Sequence, residues 1–87
     1  MKKITMFTMR GCPYCNAALR WMDELAAEDP KYLSIEIEKI DEVASPGIAS
    51  KYDYYYVPTY YIGGEKLHEG AASRDIIERV LNAALEE

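Results

Sequence analysis

The chain has 87 residues, a net charge of −5 and a hydrophobic share of 49%, which is enough apolar material for one small domain spanning residues 1–87. Its acidity, with lysines scattered along the chain, argues against a nucleic-acid partner. The apolar stretch near the start is short and stops at Arg10, so we expect neither a secretory leader nor a membrane partner and predict a cytoplasmic protein.

The first two predicted elements are a strand and a long helix. Residues 3–8 form a compact apolar run with β-branched and aromatic members, which is typical of a buried strand. Residues 13–28 have helical spacing, with Ala18, Met22 and Leu25 on one apolar face. Pro13 suits the first helical position, where its missing N–H would have no intrahelical partner.

The middle of the chain predicts a strand, a short helix and a second strand. Residues 33–38 alternate apolar and polar side chains, which favours a half-buried strand. Ser45 is the predicted N-cap of a short helix that starts at Pro46 and ends near Tyr52. Residues 57–62 follow as the next strand.

The last part predicts a hairpin and a helix. Gly63-Gly64 is a turn signal between residues 57–62 and a returning strand at residues 65–69, which Gly70 ends. Ser73 then caps a helix over residues 74–86. The core-facing residues predicted for this helix are Ile77, Val80, Leu81 and Ala84.

The predicted order is therefore β-α-β-α-β-β-α, an α/β arrangement. Each of the two connections that run through a helix predicts that the strands it joins are parallel, whereas the glycine turn predicts that its two strands are antiparallel. A small four-stranded mixed sheet with helices on both faces satisfies these connections.

The two cysteines, Cys12 and Cys15, stand at the junction of the first strand and the first helix. Free N–H groups in the first turn of a helix favour a thiolate over a thiol, and Arg10 is expected to add positive charge nearby. Cys15 lies one turn further in and is expected to be better shielded. This order predicts that Cys12 attacks a disulfide and that Cys15 resolves the mixed disulfide.

Metal binding is the other use of a close cysteine pair. A structural zinc site usually has four cysteine or histidine ligands, and this chain has only Cys12, Cys15 and His68. We therefore predict no metal site within one chain and no bound cofactor. The alternative function is a dimer that bridges an iron–sulfur cluster through Cys12.

Val57-Pro58 and the tyrosines around it form the second informative stretch. A proline at the start of a strand has no N–H for the ladder. Either a cis peptide bond, which would turn Val57 toward an extended substrate, or a trans proline on an edge strand explains it. Tyr60 and Tyr61 face opposite sides of the strand, so one is expected in the core. Residues 55–56 precede the proline and are expected to form an amphipathic docking surface.

Cys-Pro-Tyr-Cys after a strand, Val-Pro before another strand, and the Gly-Gly hairpin leading to residues 69–73 together resemble the dithiol glutaredoxins of the thioredoxin superfamily. The resemblance covers essentially the whole chain. It implies a thioredoxin-like fold, Cys12 as nucleophile, Cys15 as resolving thiol and a cis bond at Pro58. It also implies that Tyr14 lines the site and that Val57 contacts the substrate backbone. The full set of expected substrate-binding residues is Arg10, Pro13, Tyr14, Tyr56, Val57, Pro58, Gly70, Ala71 and Ser73.

This chain departs from the glutaredoxin pattern at three places. Met9 stands where those proteins usually have a lysine that holds a glutathione carboxylate, and Tyr56 replaces their threonine. Residues 70–73 end in Ser73 instead of an aspartate. We expect a monomer that reduces a protein or small-molecule disulfide. Because of these departures, two reductants are considered, namely glutathione as a co-substrate and a thioredoxin-reductase-like enzyme.

Overall fold

A computed structural model describes residues 1–86, and its elements follow the predicted order with one addition. A 3-10 turn at Pro30–Ser34 comes between the first helix and the second strand. The strands and helices are β1 Ile4–Thr8, α1 Pro13–Glu28, β2 Ile37–Asp41, α2 Pro46–Ala49, β3 Thr59–Ile62, β4 Glu65–Glu69 and α3 Arg74–Leu85. No helix in this part of the chain is both long enough and apolar enough to cross a membrane.

The four strands form one mixed sheet in the order β2-β1-β3-β4. β1 and β2 are parallel, as the crossover through α1 predicts, and the β3–β4 hairpin is antiparallel. β3 is antiparallel to β1, so the expectation of a second parallel crossover is wrong. Thr59, the first residue of β3, pairs with Phe7 near the end of β1, so the chain enters β3 at the end of the sheet where β1 and β2 finish.

Each face of the sheet has its own core. On one face, Ile4, Met6 and Tyr60 pack against α1 and α3, with Trp21 partly buried at the edge of this cluster. The buried residues of α3 are the four that the sequence predicts, namely Ile77, Val80, Leu81 and Ala84. The opposite face is covered by α2 and the tyrosines, with Phe7, Ile40, Ala49 and Tyr61 as its buried members.

Tyr60 and Tyr61 are both buried, which is one more than expected. Tyr60 lies between the sheet and the long helices, where its hydroxyl donates to the sulfur of Met22 at 3.4 Å. Tyr61 lies on the other face, and its hydroxyl donates to the carbonyl of Asp53 at 2.6 Å. Both faces of this small sheet are covered, so neither side of β3 is left for solvent.

The strand predicted over residues 33–38 is confirmed only for residues 37–38, because β2 covers Ile37–Asp41. The side chain of Asp29 accepts a hydrogen bond from the N–H of Lys31, and Pro30 begins a 3-10 turn that runs to Ser34. Leu33 consequently points into solvent with 72% of its surface exposed. The strand begins only at Ile37, so residues 33–36 lie outside it although they follow the alternating pattern.

Two other boundaries shift by smaller amounts. α2 ends at Ala49 instead of near Tyr52, although the chain continues to turn through a bond from the N–H of Tyr52 to the carbonyl of Ala49. β3 begins at Thr59 and not at residue 57, because Pro58 has no N–H to offer a ladder. The two-residue turn at residues 63–64 is as predicted, with Gly63 at φ +59°.

Candidate active site

The loop between β1 and α1 presents Cys12 at the N-terminus of the helix. Gly11 has a φ of +83°, a conformation that glycine adopts at little cost, and the N–H of Cys12 donates to the carbonyl of Met9 at 3.1 Å. Cys12 then occupies the N-cap with an extended backbone, and Pro13 is the first helical residue. The neutral Cys12 side chain makes no capping hydrogen bond. The N–H groups of the first turn therefore remain available to an ionised sulfur.

The surroundings of Cys12 favour its thiolate. Its pKa is lowered chiefly because the backbone N–H of Cys15 stabilises the charged sulfur, with help from the Cys15 thiol and the N–H of Tyr14. Burial and the negative charge of Glu42 act in the opposite direction. Cys12 keeps 8% of its surface exposed, so an ionised sulfur here has access to a disulfide from solvent.

Cys15 is in the contrasting environment. It is fully buried against the core, and burial is the main reason that its pKa is raised. The nearby Cys12 raises it further, whereas hydrogen bonds from the Thr8 side chain and the Met9 backbone act against the rise. Both cysteines are free thiols. The pair thus combines a thiol at the helix start whose pKa is lowered with a fully buried thiol whose pKa is raised.

The contacts of Arg10 are with Asp41. Its backbone N–H donates to Asp41 at 3.0 Å, and its positive charge acts on that carboxylate. The N–H groups of Val43 and Ala44 also bond to Asp41, at 2.8 and 3.1 Å, and lower its pKa. The lowering of the Cys12 pKa thus comes from N–H groups and a thiol. Asp41, which the sequence gave no reason to single out, fixes the cysteine loop to the end of β2.

The second loop of the site contains Pro58. The Val57–Pro58 peptide bond is cis, as the family resemblance implies. Phe7 pairs with Thr59 in the sheet, so Pro58 lies at the same end of the sheet as the cysteine loop. Val57 is half-buried and Pro58 is buried. The two loops therefore border a common surface.

Residues of the β4–α3 turn meet the proline loop. The N–H of Gly70 donates to the carbonyl of Pro58 at 2.8 Å, and a Cβ on Gly70 would lie 3.6 Å from that of Tyr56. Ala71 is exposed beside it, and its carbonyl lies 3.1 Å from the ring of His68. Ser73 serves α3 directly, because its hydroxyl accepts from the N–H of Ile76 at 3.2 Å.

Tyrosines cover the rim of this surface. Tyr14 is 61% exposed, Tyr55 87% and Tyr56 70%. Pro13 is exposed as well, beside Cys12 at the start of α1. Apolar rings held in water in this way are typical of surfaces that bind other proteins. Their role in binding remains a prediction.

Two carboxylates of this region were not found from the sequence. Glu42 accepts a hydrogen bond from the hydroxyl of Tyr54 at 2.8 Å. Glu69 accepts from the backbone N–H groups of Tyr55 and Tyr56 at 2.6 and 3.0 Å. The partners are 12 to 14 residues apart in the chain, so no local pattern would have signalled them. Within residues 1–86, no group of three or more His, Cys, Asp or Glu side chains is placed to hold a metal ion.

Comparisons with known proteins agree with this geometry. The glutaredoxin family model matches residues 4–67. The chain is 34% identical over 83 residues to a thioredoxin of Methanocaldococcus jannaschii, and 34% identical over 83 residues to a probable thioredoxin of Methanothermobacter thermautotrophicus. Each alignment covers 95% of both chains.

Solved structures show the same fold. Thioredoxin O1 of Arabidopsis thaliana in its oxidised state has a TM-score of 0.71 at 21% identity, covering 99% of this chain and 79% of that one. Thioredoxin of Trypanosoma brucei brucei also has a TM-score of 0.71, at 22% identity, covering 100% of this chain and 77% of that one. The four-stranded mixed sheet with helices on both faces is therefore a thioredoxin-like fold, as predicted.

Proposed function

The chain belongs to the glutaredoxin family, within the thioredoxin superfamily of thiol–disulfide oxidoreductases, and on this basis we propose that it reduces protein disulfides with Cys12 and Cys15. The observation that carries the proposal is the placement of the pair. Cys12 lies at the N-cap of α1 with 8% of its surface exposed, while Cys15, one turn later, is fully buried. This asymmetry suits a reaction with an attacking thiol and a resolving thiol.

The proposed reaction has two exchange steps. The Cys12 thiolate attacks one sulfur of the substrate disulfide, forms a mixed disulfide, and releases the other substrate sulfur as a thiolate. Cys15 then loses its proton and attacks the sulfur of Cys12, which releases the second substrate thiolate. The substrate gains two electrons, and the protein is left with a Cys12–Cys15 disulfide.

The environment of each thiol supports its part in this sequence. A lowered pKa gives Cys12 a larger thiolate fraction near neutral pH, and the thiolate is the form that attacks the substrate disulfide. A raised pKa keeps Cys15 protonated until the mixed disulfide has formed. Removing the negative sulfur of Cys12 at that point lowers the repulsion that Cys15 must overcome when it ionises.

Exposed tyrosines support a protein substrate. Tyr14, Tyr55 and Tyr56 offer rigid apolar area, with hydroxyls for polar contacts, at the rim of the surface that contains Cys12. We propose that the backbone of Val57, next to the proline, pairs with an extended substrate segment in strand fashion. A small disulfide would use little of this area.

We further propose that a protein dithiol, such as that of a thioredoxin-reductase-like enzyme, regenerates the reduced form. Met9 offers no charge to a glutathione carboxylate, and the hydroxyl of Ser73 is already engaged as the cap of α3. The relatives from methanogens are named thioredoxins. These three features favour a thioredoxin-like partner over glutathione.

Single-turnover reduction of insulin tests the chemistry without any reductase. Pre-reduced protein is mixed with excess insulin, the reaction is quenched with an alkylating reagent, and the mass of the protein is measured by mass spectrometry. In wild type, Cys12 and Cys15 should form a disulfide and no longer be alkylated. Cys15→Ser should accumulate a mixed disulfide with insulin, and Cys12→Ser should remain unreacted. A Cys12→Ser variant that still reduces insulin would contradict the assigned roles.

Two further measurements address the reductant and the alternative function. Oxidised protein is offered glutathione with glutathione reductase, or a thioredoxin reductase with NADPH, and consumption of NADPH is followed. Faster reduction by glutathione would contradict the proposed partner. Visible absorption of protein purified without oxygen tests the iron–sulfur alternative, because a bridged cluster is coloured and a dithiol is not.

A further inference from the structure

Glu69, the last residue of β4, binds the loop that leads to Pro58. Its Oε2 atom accepts from the N–H of Tyr55 at 2.6 Å and from the N–H of Tyr56 at 3.0 Å. Its Oε1 atom accepts from the Nζ of Lys66 at 2.7 Å. Both carboxylate oxygens are therefore engaged, one by the loop and the other by a cation on the same strand.

The form of this contact favours a charged acceptor. Two successive backbone N–H groups that point to one atom form a concave site suited to an anion. Hydrogen bonds to an ionised acceptor are about twice as strong as neutral ones. The pKa of Glu69 is lowered to about 2, first by Lys66 and then by these N–H groups, so the carboxylate is ionised throughout the neutral range.

Neighbouring bonds attach the rest of the loop to the same hairpin. Lys66 also donates to the carbonyl of Asp53 at 3.1 Å, at the start of the loop. At its other end, the N–H of Gly70 donates to the carbonyl of Pro58 at 2.8 Å. Glu69 bonds to the part between these two points, where Tyr55 and Tyr56 project into solvent.

We infer that Glu69 is a positioning residue that holds Tyr55 and Tyr56 in the orientation in which they receive a disulfide-bearing protein. The inference rests on the proposed function. A loop that is already ordered in the free protein loses less conformational entropy when the substrate binds. Glu69 therefore acts on substrate binding, whereas the electron transfer depends on Cys12 and Cys15.

Saturation of the single-turnover insulin reaction provides the test. Pre-reduced wild type, Glu69→Ala and Glu69→Gln are mixed with increasing insulin to obtain the half-saturating concentration and the limiting rate. Glu65→Ala is the matched control, because Glu65 is an exposed carboxylate at the opposite end of β4 and its loss changes the net charge equally. Amide hydrogen exchange at Tyr55 and Tyr56 is measured on the same samples.

We expect Glu69→Ala to raise the half-saturating insulin concentration on the order of tenfold, with the limiting rate within about twofold of wild type. Glu69→Gln, which keeps a neutral acceptor, should show a smaller rise, and Glu65→Ala none. The Tyr55 and Tyr56 amides should exchange faster in Glu69→Ala while amides of the core strands stay protected. If Glu69→Ala does not fold, Glu69→Gln decides the outcome.

The two proposals fail in different ways. An active wild type whose half-saturating concentration is unchanged in both Glu69 variants would overturn the positioning role and leave the reductase function intact. A fall in the limiting rate alone would also overturn it, since the effect would then lie in the chemistry. A wild type that cannot reduce insulin would refute the reductase function, and the positioning role with it.

Discussion

Replacing Ser73 by alanine should destabilise the protein through α3. The hydroxyl of Ser73 accepts from the N–H of Ile76 at 3.2 Å, which satisfies one of the free donors of the first helical turn. Alanine cannot accept this bond. The helix buries Ile77, Val80, Leu81 and Ala84 in the larger core, so weakening its start weakens the whole fold.

The size of the effect follows from the geometry of the cap. Removing an N-cap side chain typically costs about 0.5–2 kcal/mol, and a bond of 3.2 Å from an exposed serine belongs in the lower half, about 0.5–1 kcal/mol. A chain of this size loses about 1 kcal/mol of stability per molar urea. The urea midpoint should therefore fall by about 0.5–1 M, and Tm by about 2–8 °C.

Urea denaturation followed by circular dichroism measures this change, and the chain offers a matched control. Ser45 is the N-cap of α2, but its side chain makes no capping bond, so Ser45→Ala should lose much less stability. Ser73→Asp should stay near wild type, because aspartate caps equally well and its charge suits a helix N-terminus. Equal losses for Ser73→Ala and Ser45→Ala, or a large loss for Ser73→Asp, would refute the capping role.

Three other outcomes are expected. Limiting iodoacetamide at graded pH should label Cys12 at lower pH than Cys15, because the pKa of Cys12 is lowered and that of Cys15 raised; mapping the label to Cys15 first would contradict this order. The folded-state pKa of Glu69, lowered from 4.5 to about 2, makes its charge stabilising above pH 4.5. The difference in the free energy of unfolding between wild type and Glu69→Gln should therefore be constant above that pH and shrink as the pH falls toward 2. Finally, Met9→Lys combined with Ser73→Asp should raise the glutathione-coupled rate with hydroxyethyl disulfide on the order of tenfold. A wild-type rate equal to that of the double variant would argue for glutathione as the natural reductant.

Many of the helices and turns of this protein could be predicted from its sequence because local interactions determine them. Some residues determine only the structure of their immediate neighbours in the chain. Examples are Pro13 at the first position of α1, Ser73 as the cap of α3 and the two glycines of the hairpin turn. The apolar spacing of α1 and α3 marks the side chains that the structure buries. The cysteine pair at the helix start follows from the same local reasoning, since the N–H groups that lower the pKa of Cys12 belong to the next three residues.

Two features of the fold differ from the prediction. The alternating run at residues 33–38 has a strand pattern, yet a 3-10 turn capped by Asp29 runs to Ser34, and the strand begins only at Ile37. The direction of β3 is set by its long-range pairing with β1, in which Thr59 lies opposite Phe7 and Tyr61 opposite Thr5.

Arg10 and Glu69 show the same limit around the site. The backbone of Arg10 was fixed by Asp41, 31 residues away, and Glu69 reached the loop at Tyr55 across 14 residues. Helix caps and tight turns are determined by neighbours in the chain. Which charged side chain meets which exposed backbone group is determined only when the sheet brings distant segments together.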